Sequence, residues 1–340
     1  MNIYTRILRP LLFSLDAERA HHLVLRQLSI LPPLLVRIIF GRLPPCPPRR
    51  FFGVTFPSRV GLAAGMDKNG IALRGWEALG FGFVEIGTIT ARPQSGNARP
   101  RLFRYPEQSA LVNRMGFNND GADAVAVRLD RLRKTGKWPA VPVGINLGKS
   151  KDTPLEEASA DYLSSFRALR PFGEYFVINV SSPNTPGLRE LQETQRLRDI
   201  VHTLRREDPH ARLLVKIAPD LEDETALEIG RLAADEKLAG LIATNTTLDH
   251  SVLPNGRDQQ GGLSGAPLRA RATHLLQMLS SQSPLPLIAS GGVMNKASAK
   301  EKFDAGASLV QIYTGLVYRG PQLIREIASL DAELSPAEPS

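Results

Sequence analysis

Short apolar stretches rich in β-branched residues alternate with longer amphipathic segments along most of the 340-residue chain. Eight of these stretches have the length and composition of buried strands, at 60–63, 83–87, 141–146, 176–180, 213–217, 241–244, 285–289 and 309–312. Eight further segments carry apolar residues at three- and four-residue spacing, which predicts helices at 70–79, 120–134, 154–170, 188–206, 221–236, 268–281, 295–305 and 321–330.

Eight strand–helix units in series predict an α/β fold, a (β/α)8 TIM barrel, over residues 45–340. The reason is that each buried parallel strand needs a crossover helix to reach the next one. An open doubly wound sheet is the alternative. That fold usually has fewer strands and a G-x-G-x-x-G loop after the first strand, which this sequence does not have.

Residues 1–44 form a separate amphipathic unit ahead of the barrel. Two short helices are predicted, at 3–12 and 18–28, followed by an apolar stretch at 31–40 and a Pro-rich linker at 43–48. Charged residues interrupt every apolar run, which argues against a membrane-spanning helix. Two interpretations stay open: the unit lies in a membrane interface, or its helices cap the barrel.

Composition and charge narrow the classes of protein. With 42% hydrophobic and 22% charged residues the chain is typical of globular proteins, not of disordered or collagenous ones. The single cysteine, Cys46, argues against a disulfide framework and a Cys-based metal site, so an intracellular location is the default.

The net charge of +8 is concentrated at the N-terminus: residues 1–44 hold six basic and two acidic side chains, whereas residues 138–340 hold twenty-one basic and twenty-five acidic side chains. This distribution suits docking to an anionic lipid surface. A nucleic-acid-binding barrel protein is a remote alternative.

The predicted strand ends are rich in amide, hydroxyl, lysine and glycine, and nearly free of carboxylate and histidine. In a TIM barrel the chemistry lies at these ends. The pattern disfavours divalent-metal hydrolysis and paired-carboxylate glycosidase chemistry, so no metal is expected. It favours a planar ligand rich in hydrogen-bonding edges, such as a flavin or a pyrimidine. Amide edges for such a ligand come from Asn113, Asn179, Asn184 and Asn245, although a single Asn is more often a turn or cap residue.

Two lysines and one serine loop are candidates for the chemistry itself. Lys216 and Lys68 lie at or just beyond strand ends, where a buried cation needs an anionic partner. Lys216 suits a reduced flavin ring and Lys68 a substrate carboxylate. The loop 181–187 offers a hydroxyl for proton relay, and composition leaves Ser181 and Ser182 both open. Glycines at the ends of strands seven and eight are typical of phosphate binding.

A set of motifs in fixed order resembles the dihydroorotate dehydrogenase family over nearly the whole chain. They include A-A-G-M-D-K at 63–68, F-V-E-I-G-T at 83–88, N-R-M-G-F-N at 113–118, N-V-S-S-P-N-T-P-G-L-R at 179–189 and Q-I-Y-T-G at 311–315. The N-terminal unit, and a serine where soluble members have cysteine, are similar to the membrane-associated, quinone-dependent class 2. A soluble fumarate- or NAD-dependent member is the alternative that Ser182 disfavours.

The resemblance implies oxidation of (S)-dihydroorotate to orotate in pyrimidine (UMP) biosynthesis, with one FMN per chain and a quinone as electron acceptor. Ser182 would be the base that removes the C5 proton while a hydride passes from C6 to flavin N5. Substrate would contact Lys68, Asn113, Arg114, Met115, Gly116, Phe117, Asn118, Asn179, Asn184, Asn245 and Thr246. FMN would contact Ala64, Gly65, Met66, Asp67, Lys68, Thr88, Asn146, Asn179, Lys216, Thr244, Gly265, Gly292, Tyr313 and Thr314.

By the same resemblance the quinone would enter from lipid through the N-terminal helices. The inner end of its tunnel would be lined by His21, Arg104 and Tyr313, although His21 fits equally well as a polar residue on a helix face. The expected protein is a monomeric peripheral membrane protein, on the cytoplasmic face of the inner membrane if bacterial, without a nucleic-acid partner. Ser290 departs from the glycine or valine expected there. Candidate lids are 183–191 and 247–261.

Overall fold

The computed structural model describes residues 3–41, 43–44, 46–254 and 258–333. Position 45 of the predicted linker and positions 255–257 of the candidate lid 247–261 lie outside the described residues, as do both ends of the chain. The strands in chain order are β1 (Arg49–Phe51), β2 (Val54–Phe56), β3 (Val60–Leu62), β4 (Phe83–Ile89), β5 (Leu102–Tyr105), β6 (Ala110–Asn113), β7 (Val143–Leu147), β8 (Tyr175–Asn179), β9 (Leu213–Ile217), β10 (Gly240–Ala243), β11 (Gly262–Gly265), β12 (Leu287–Ser290) and β13 (Leu309–Ile312).

The α-helices follow the same numbering. In chain order they are α1 (Arg9–Phe13), α2 (Ala17–Ile30), α3 (Pro33–Phe40), α4 (Leu73–Leu79), α5 (Ala122–Lys134), α6 (Ala158–Leu169), α7 (Thr194–Glu207), α8 (Asp223–Asp235), α9 (Arg269–Gln282), α10 (Lys296–Asp304), α11 (Thr314–Arg319) and α12 (Gln322–Glu333). Shorter helical turns are a π-helical turn at Tyr4–Leu8 and 3-10 turns at Leu155–Glu157, Leu188–Gln192 and Ala266–Leu268.

Eight parallel strands close into a barrel in the order β3-β4-β7-β8-β9-β10-β12-β13, and β13 pairs back onto β3. This confirms the predicted (β/α)8 TIM barrel. Every predicted strand agrees with its observed counterpart to within two residues at each end. The agreement has a simple cause: strands covered by helices on one side and core on the other are apolar on both faces, so they stand out as continuous apolar runs.

An antiparallel hairpin, β1–β2, closes the N-terminal end of the barrel. The sequence pattern did not predict it, because each strand is only three residues long and directly follows the Pro-rich linker. Its Phe56 packs edge-on against Phe83, with 5.3 Å between ring centroids, in a cluster of buried apolar side chains. That end is therefore filled, and the ligand cleft lies at the opposite end.

A three-stranded antiparallel sheet, β11-β6-β5, lies at the C-terminal mouth of the barrel. We expected no strands in these segments. The pairing joins positions about 150 residues apart, such as Asn113 and Gly262, so no local pattern predicts it. The sheet brings Asn113 and Gly265 to the mouth and turns Arg104 towards the N-terminal helices.

The N-terminal unit packs on the side of the barrel through α4 and β5. Its α2 begins at the Asp16 cap, whose carboxylate accepts from the backbone N–H of Glu18 and Arg19. Helix α3, which the pattern left as an apolar stretch, begins with Pro33 at its first position, where proline is favourable. Gly75 allows the close approach of α2 to α4, because a Cβ there would lie 2.5 Å from the Leu28 carbonyl oxygen.

Among the described helices, none is by itself long and apolar enough to cross a membrane, and only α2 and α3 taken together meet the length and composition required, with a bend of 119° between them. Apolar side chains on this unit are exposed at Leu23, Ile30, Leu34 and Ile38.

Candidate active site

A cleft of about 1040 Å³, counting the space open to solvent, occupies the C-terminal mouth of the barrel. Most residues predicted for substrate or cofactor meet there. Those that line the cleft are Ala64, Gly65, Lys68, Thr88, Asn113, Met115, Gly116, Phe117, Asn179, Ser182, Asn184, Lys216, Thr244, Asn245, Thr246, Gly265, Gly292, Tyr313 and Thr314.

The structure places five predicted contact residues away from the cleft lining. Asp67 is buried, and its carboxylate accepts from Trp76 Nε1 and two backbone N–H groups at the start of α4, so it stabilises this turn. Met66 packs in the apolar core. Arg114 donates to the Pro100 carbonyl oxygen. Asn146 does not line the cleft but accepts from the lining residues Thr88 and Asn179, and Asn118 directly follows the lining residue Phe117.

An acidic residue that sequence reasoning missed, Glu85, lies at the bottom of the site with no exposed surface. Its carboxylate accepts hydrogen bonds from Asn146 Nδ2 at 2.9 Å, Gln311 Nε2 at 2.5 Å and Tyr175 Oη at 3.4 Å. Burial raises its pKa, and the positive charge of Lys216 opposes that rise. Glu85 lies within the motif F-V-E-I-G-T at 83–88, and an acidic residue inside an otherwise apolar strand is the sequence signal that marks it.

Hydrogen bonds continue from this carboxylate towards the cleft. The Asn146 Oδ1 accepts from Thr88 Oγ1 at 2.6 Å and from Asn179 Nδ2 at 2.9 Å. Asn179 Oδ1 in turn accepts from Ser181 Oγ at 3.0 Å, and that hydroxyl accepts from Asn245 Nδ2 at 2.9 Å. These hydrogen bonds beneath the cleft fix the orientation of its asparagine side chains. Asn146 connects Glu85 to the residues that line the cleft.

This network separates the two candidate serines. Ser181 is fully buried, and its hydroxyl is committed to Asn179 and Asn245. Ser182 lines the cleft, and its Oγ accepts only a long 3.3 Å bond from the Asn184 backbone N–H among the described contacts. Of the two hydroxyls, that of Ser182 is the one placed to meet a substrate.

Two lysines bring positive charge to the cleft. Lys216 is buried, and its ammonium group has no hydrogen-bond partner among the described residues. Burial lowers its pKa, and Glu85 opposes that shift. Lys68 Nζ donates to the Gly65 carbonyl oxygen at 3.0 Å. Burial, followed by the charge of Arg101, lowers the Lys68 pKa to about 8.

Two glycines make room at the edge of the cleft nearest strands β12 and β13. Gly292 has a φ of +74°, and a Cβ there would lie 2.3 Å from Arg269 Cα at the start of α9. Gly265 has a φ of +100°, and its Cβ would lie 2.3 Å from the Ser109 carbonyl oxygen. Neither position accepts a side chain, so backbone is exposed to a ligand, as phosphate sites on barrels require. The neighbouring Ser290 also lines the cleft.

Further lining residues were not among the predicted ligand contacts. They are Leu102, Leu111, Ser264, Leu268, Val293, Met294 and Gln311. Most are apolar residues contributed by the unpredicted mouth sheet or by loops, where an apolar residue carries no chemical signal. The Gln311 Oε1 atom is buried without a partner among the described residues, which leaves an acceptor for a ligand N–H group.

The three residues predicted for the quinone tunnel lie in different surroundings. Tyr313 lines the cleft. Arg104 lines a separate groove beside Leu15 and Phe103, and its guanidinium donates to the carbonyl oxygens of Leu12 and Leu15. His21 lines neither, although burial and then the charge of Lys68 lower its pKa to about 3. Cleft and groove share Leu102, so this one side chain stands between them.

The described residues contain no group of three or more His, Cys, Asp or Glu arranged to hold a metal ion. Fold and site together define a (β/α)8 barrel protein with a cleft rich in amide and lysine side chains at the C-terminal ends of its strands. The chain belongs to the dihydroorotate dehydrogenase family, whose sequence model, described as "Dihydroorotate dehydrogenase", matches residues 48–334.

Individual relatives cover almost the whole chain. A protein of Salinispora arenicola named "Dihydroorotate dehydrogenase (quinone)" is 51% identical over 338 residues, which is 96% of this chain and 98% of that protein. A protein of Xanthomonas euvesicatoria pv. vesicatoria with the same name is 49% identical over 94% of this chain and 93% of its own. The crystal structure of the ligand-free enzyme from Eimeria tenella superposes with a TM-score of 0.82 at 38% identity, covering 92% of this chain and 93% of that one.

Proposed function

We propose that this chain oxidises (S)-dihydroorotate to orotate in pyrimidine biosynthesis, with one bound FMN as cofactor and a quinone as electron acceptor. The observation that carries the proposal is the buried Lys216 ammonium, which lines a cleft rich in amides and has no hydrogen-bond partner among the described residues. Glu85 acts on this cation through its charge, but an ammonium buried without hydrogen bonds is still costly. A flavin ring that becomes negative on reduction would offset that cost.

The residues present fit FMN on independent grounds. The buried Gln311 Oε1 atom has no partner among the described residues, so it is available as an acceptor for a ring N–H group. At the other edge, Gly265 and Gly292 leave space that side chains would fill, which suits the ribityl phosphate. We assign Thr88, Asn146, Lys216 and Tyr313 to the ring, with Asn146 acting through Thr88 and Asn179.

When bound in this cleft, FMN would supply the acceptor at N5 for the C6 hydride of dihydroorotate and the electron carrier to the quinone. The chain itself supplies orientation and proton transfer. Lys68 pairs with the substrate carboxylate, while the amides of Asn113, Asn184 and Asn245 bind the edges of the pyrimidine dione. Loss of the C5 proton together with the C6 hydride forms the C5=C6 double bond of orotate.

Ser182 is the assigned base. A serine hydroxyl is weakly basic, so it acts as a relay: Oγ takes the C5 proton while its own O–H proton passes to a water or a neighbouring threonine. Such a relay works best away from bulk water, and the Ser182 side chain is itself buried.

The proposed function is tested by the absorption spectrum of the purified protein. We expect a yellow protein with FMN absorbance that dihydroorotate bleaches without oxygen and a short-chain quinone restores. A colourless, FMN-free protein, or a spectrum that dihydroorotate leaves unchanged, would contradict the proposal. Steady-state rates with quinone, fumarate and NAD separate the quinone-dependent enzyme from the soluble alternative.

We further propose a monomeric peripheral membrane protein, at the cytoplasmic face of the inner membrane if bacterial, with no nucleic-acid partner. Support comes from exposed Leu23, Ile30, Leu34 and Ile38 on a basic N-terminal unit. Such a face suits insertion among acyl chains with arginines near lipid phosphates. In this arrangement the quinone reaches the cleft past His21, Arg104 and Tyr313. Flotation with vesicles of anionic lipid tests the membrane assignment.

Substrate binding is expected to weaken as the pH rises through about 8. The carboxylate binds the ammonium form of Lys68, and burial lowers the pKa of this group to about 8. Below that pH the ammonium form dominates and affinity is constant; above it the cation is lost and affinity falls. The measurement is the dissociation constant of orotate, from the flavin spectrum, between about pH 6 and 9.

Lys68→Arg is the matched control for this titration. A guanidinium stays protonated over the whole range, so the inflection near pH 8 disappears even if affinity is lower throughout. An unchanged inflection in Lys68→Arg would assign the titration to another group.

A further inference from the structure

We propose that the buried ion pair between Glu18 and Arg101 is a positioning device for the dihydroorotate-binding loops. It makes helix α2 part of the substrate site. The inference rests on the proposed function and extends it, because the N-terminal unit would then serve the oxidation of dihydroorotate as well as access of the quinone.

The pair is almost completely shielded from water. Glu18 and Arg101 are each 4% exposed. Arg101 Nε donates to both carboxylate oxygens, at 3.2 and 3.1 Å, and Nη2 donates to Oε1 at 2.8 Å. Burial by itself would raise the pKa of Glu18, but the hydrogen bonds and charge of Arg101, with Arg99 and His22, outweigh burial and lower it to about 2. The carboxylate is therefore ionised at every physiological pH.

The other side of the Arg101 guanidinium holds the loop that precedes β5. Its Nη1 donates to the carbonyl oxygens of Ser95, at 2.6 Å, and Asn97, at 2.9 Å. One guanidinium thus joins the first turn of α2 to the backbone of this loop. Because the bonds on both sides are charge-assisted and buried, they fix the relative position of the two segments.

From that loop the contacts lead directly to substrate-binding residues. Asn97 Nδ2 donates to the Arg114 carbonyl oxygen at 3.0 Å and to the Asn184 carbonyl oxygen at 3.5 Å. Asn184 Nδ2 donates to Asn113 Oδ1 at 3.2 Å. The fit is tight, since a Cβ on Gly116 would lie within 2.9 Å of the Asn97 side chain. A displacement of Arg101 would therefore reach two amides that line the cleft.

The charge of Glu18 also acts on the site. It opposes the lowering of the Lys68 pKa, whereas Arg101 contributes to that lowering. Burial raises the pKa of Tyr313 to about 12, and the charge of Glu18 adds to that rise. A neutral residue 18 would leave the Arg101 cation buried without compensation near the lysine that binds the carboxylate.

The N-terminal unit has other attachments to the barrel, so this pair is not needed merely to hold it. Arg104 donates to two carbonyl oxygens at the end of α1. Arg37 of α3 pairs with Glu77 of α4 at 3.5 Å. Tyr4 donates to the Val317 carbonyl oxygen at 2.6 Å. What distinguishes the Glu18–Arg101 pair is its connection to the substrate loops.

The test compares two holoenzyme variants that remove ion pairs between the N-terminal unit and the barrel: those of Glu18 with Arg101 and Arg99, and that of Arg37 with Glu77. Glu18→Gln keeps the size and an acceptor but removes the charge, and Arg37→Gln is the matched control at α3. We expect Glu18→Gln to raise the dissociation constant of orotate and the KM for dihydroorotate by roughly 10- to 100-fold. The KM for a short-chain quinone and the FMN content should change less than about twofold. Arg37→Gln should leave all four unchanged.

A second variant, Asn97→Ala, removes the hydrogen bonds from the loop to Arg114 and Asn184. If Glu18→Gln does not fold, Asn97→Ala is expected to weaken orotate and dihydroorotate binding in the same way. An orotate affinity in Glu18→Gln equal to that of Arg37→Gln would overturn the inference, as would equal losses for quinone and substrate. Failure of the proposed function is a different result, because the parent protein would then neither bind orotate nor bleach with dihydroorotate.

Discussion

Replacing Ser182 by alanine is expected to lower the rate of flavin reduction by dihydroorotate by about 10²–10⁴-fold, the usual contribution of a positioned proton-transfer group. FMN and orotate should still bind, since Ser182 Oγ makes only one long hydrogen bond, from the Asn184 backbone N–H, among the described residues. The measurement is single-turnover reduction followed by absorbance in the absence of oxygen.

Ser181→Ala is the informative control for this prediction. The Ser181 hydroxyl orients Asn179 and Asn245 and does not line the cleft, so its loss should weaken orotate binding more than it slows proton transfer. Single-turnover reduction that is slow in Ser181→Ala and unchanged in Ser182→Ala would reverse the assignment of the base.

Replacing Lys216 by methionine is expected to slow flavin reduction by about 10²–10³-fold and to shift the FMN midpoint potential to a more negative value. Methionine approximates the length of the side chain without its charge, so the negative reduced ring loses its buried cation. Glu85 is left without that cation, but burial already raises its pKa, which allows it to become neutral. The potential is measured by dye-coupled reduction of the holoenzyme.

Lys149→Met is the matched control for a buried lysine. Its ammonium donates to the carbonyl oxygens of Ser150 and Thr153 and it does not line the cleft. We expect a lower free energy of unfolding with an unchanged midpoint potential. An equal shift of potential in both variants would mean that Lys216 acts through general stability and not through its charge beside the flavin.

The barrel was readable from the sequence because each of its strands is a short apolar run between amphipathic helices. Prediction from local apolar runs failed for elements that are very short or that pair with a strand distant in the sequence. The hairpin β1–β2 has three-residue strands, and the mouth sheet joins β6 to a strand about 150 residues later. Neither leaves a periodic pattern in a local window, since the partner that completes each one is remote in the chain.

Within the site, local sequence indicated which types of residue do the chemistry but not how they are arranged. The motifs selected Lys68, Lys216 and the four asparagines, and the structure brings all of them to one cleft. The same motifs included Asp67, which the structure uses to stabilise the start of α4. A motif identifies a segment whose local structure matters. It does not distinguish the residues that contact a ligand from those that stabilise the backbone turn.

By itself, the sequence determined the barrel, its strand ends, the mouth rich in amide and lysine, and the basic N-terminal unit, because these depend on periodicity and composition along contiguous segments. Tertiary structure alone decided between Ser181 and Ser182, revealed Glu85 beneath the amides, and joined Glu18 to Arg101 across 83 positions. Those outcomes depend on which hydrogen bonds form between distant segments. Burial makes these bonds decisive, because a buried donor or acceptor that is left unpaired lowers the stability of the fold.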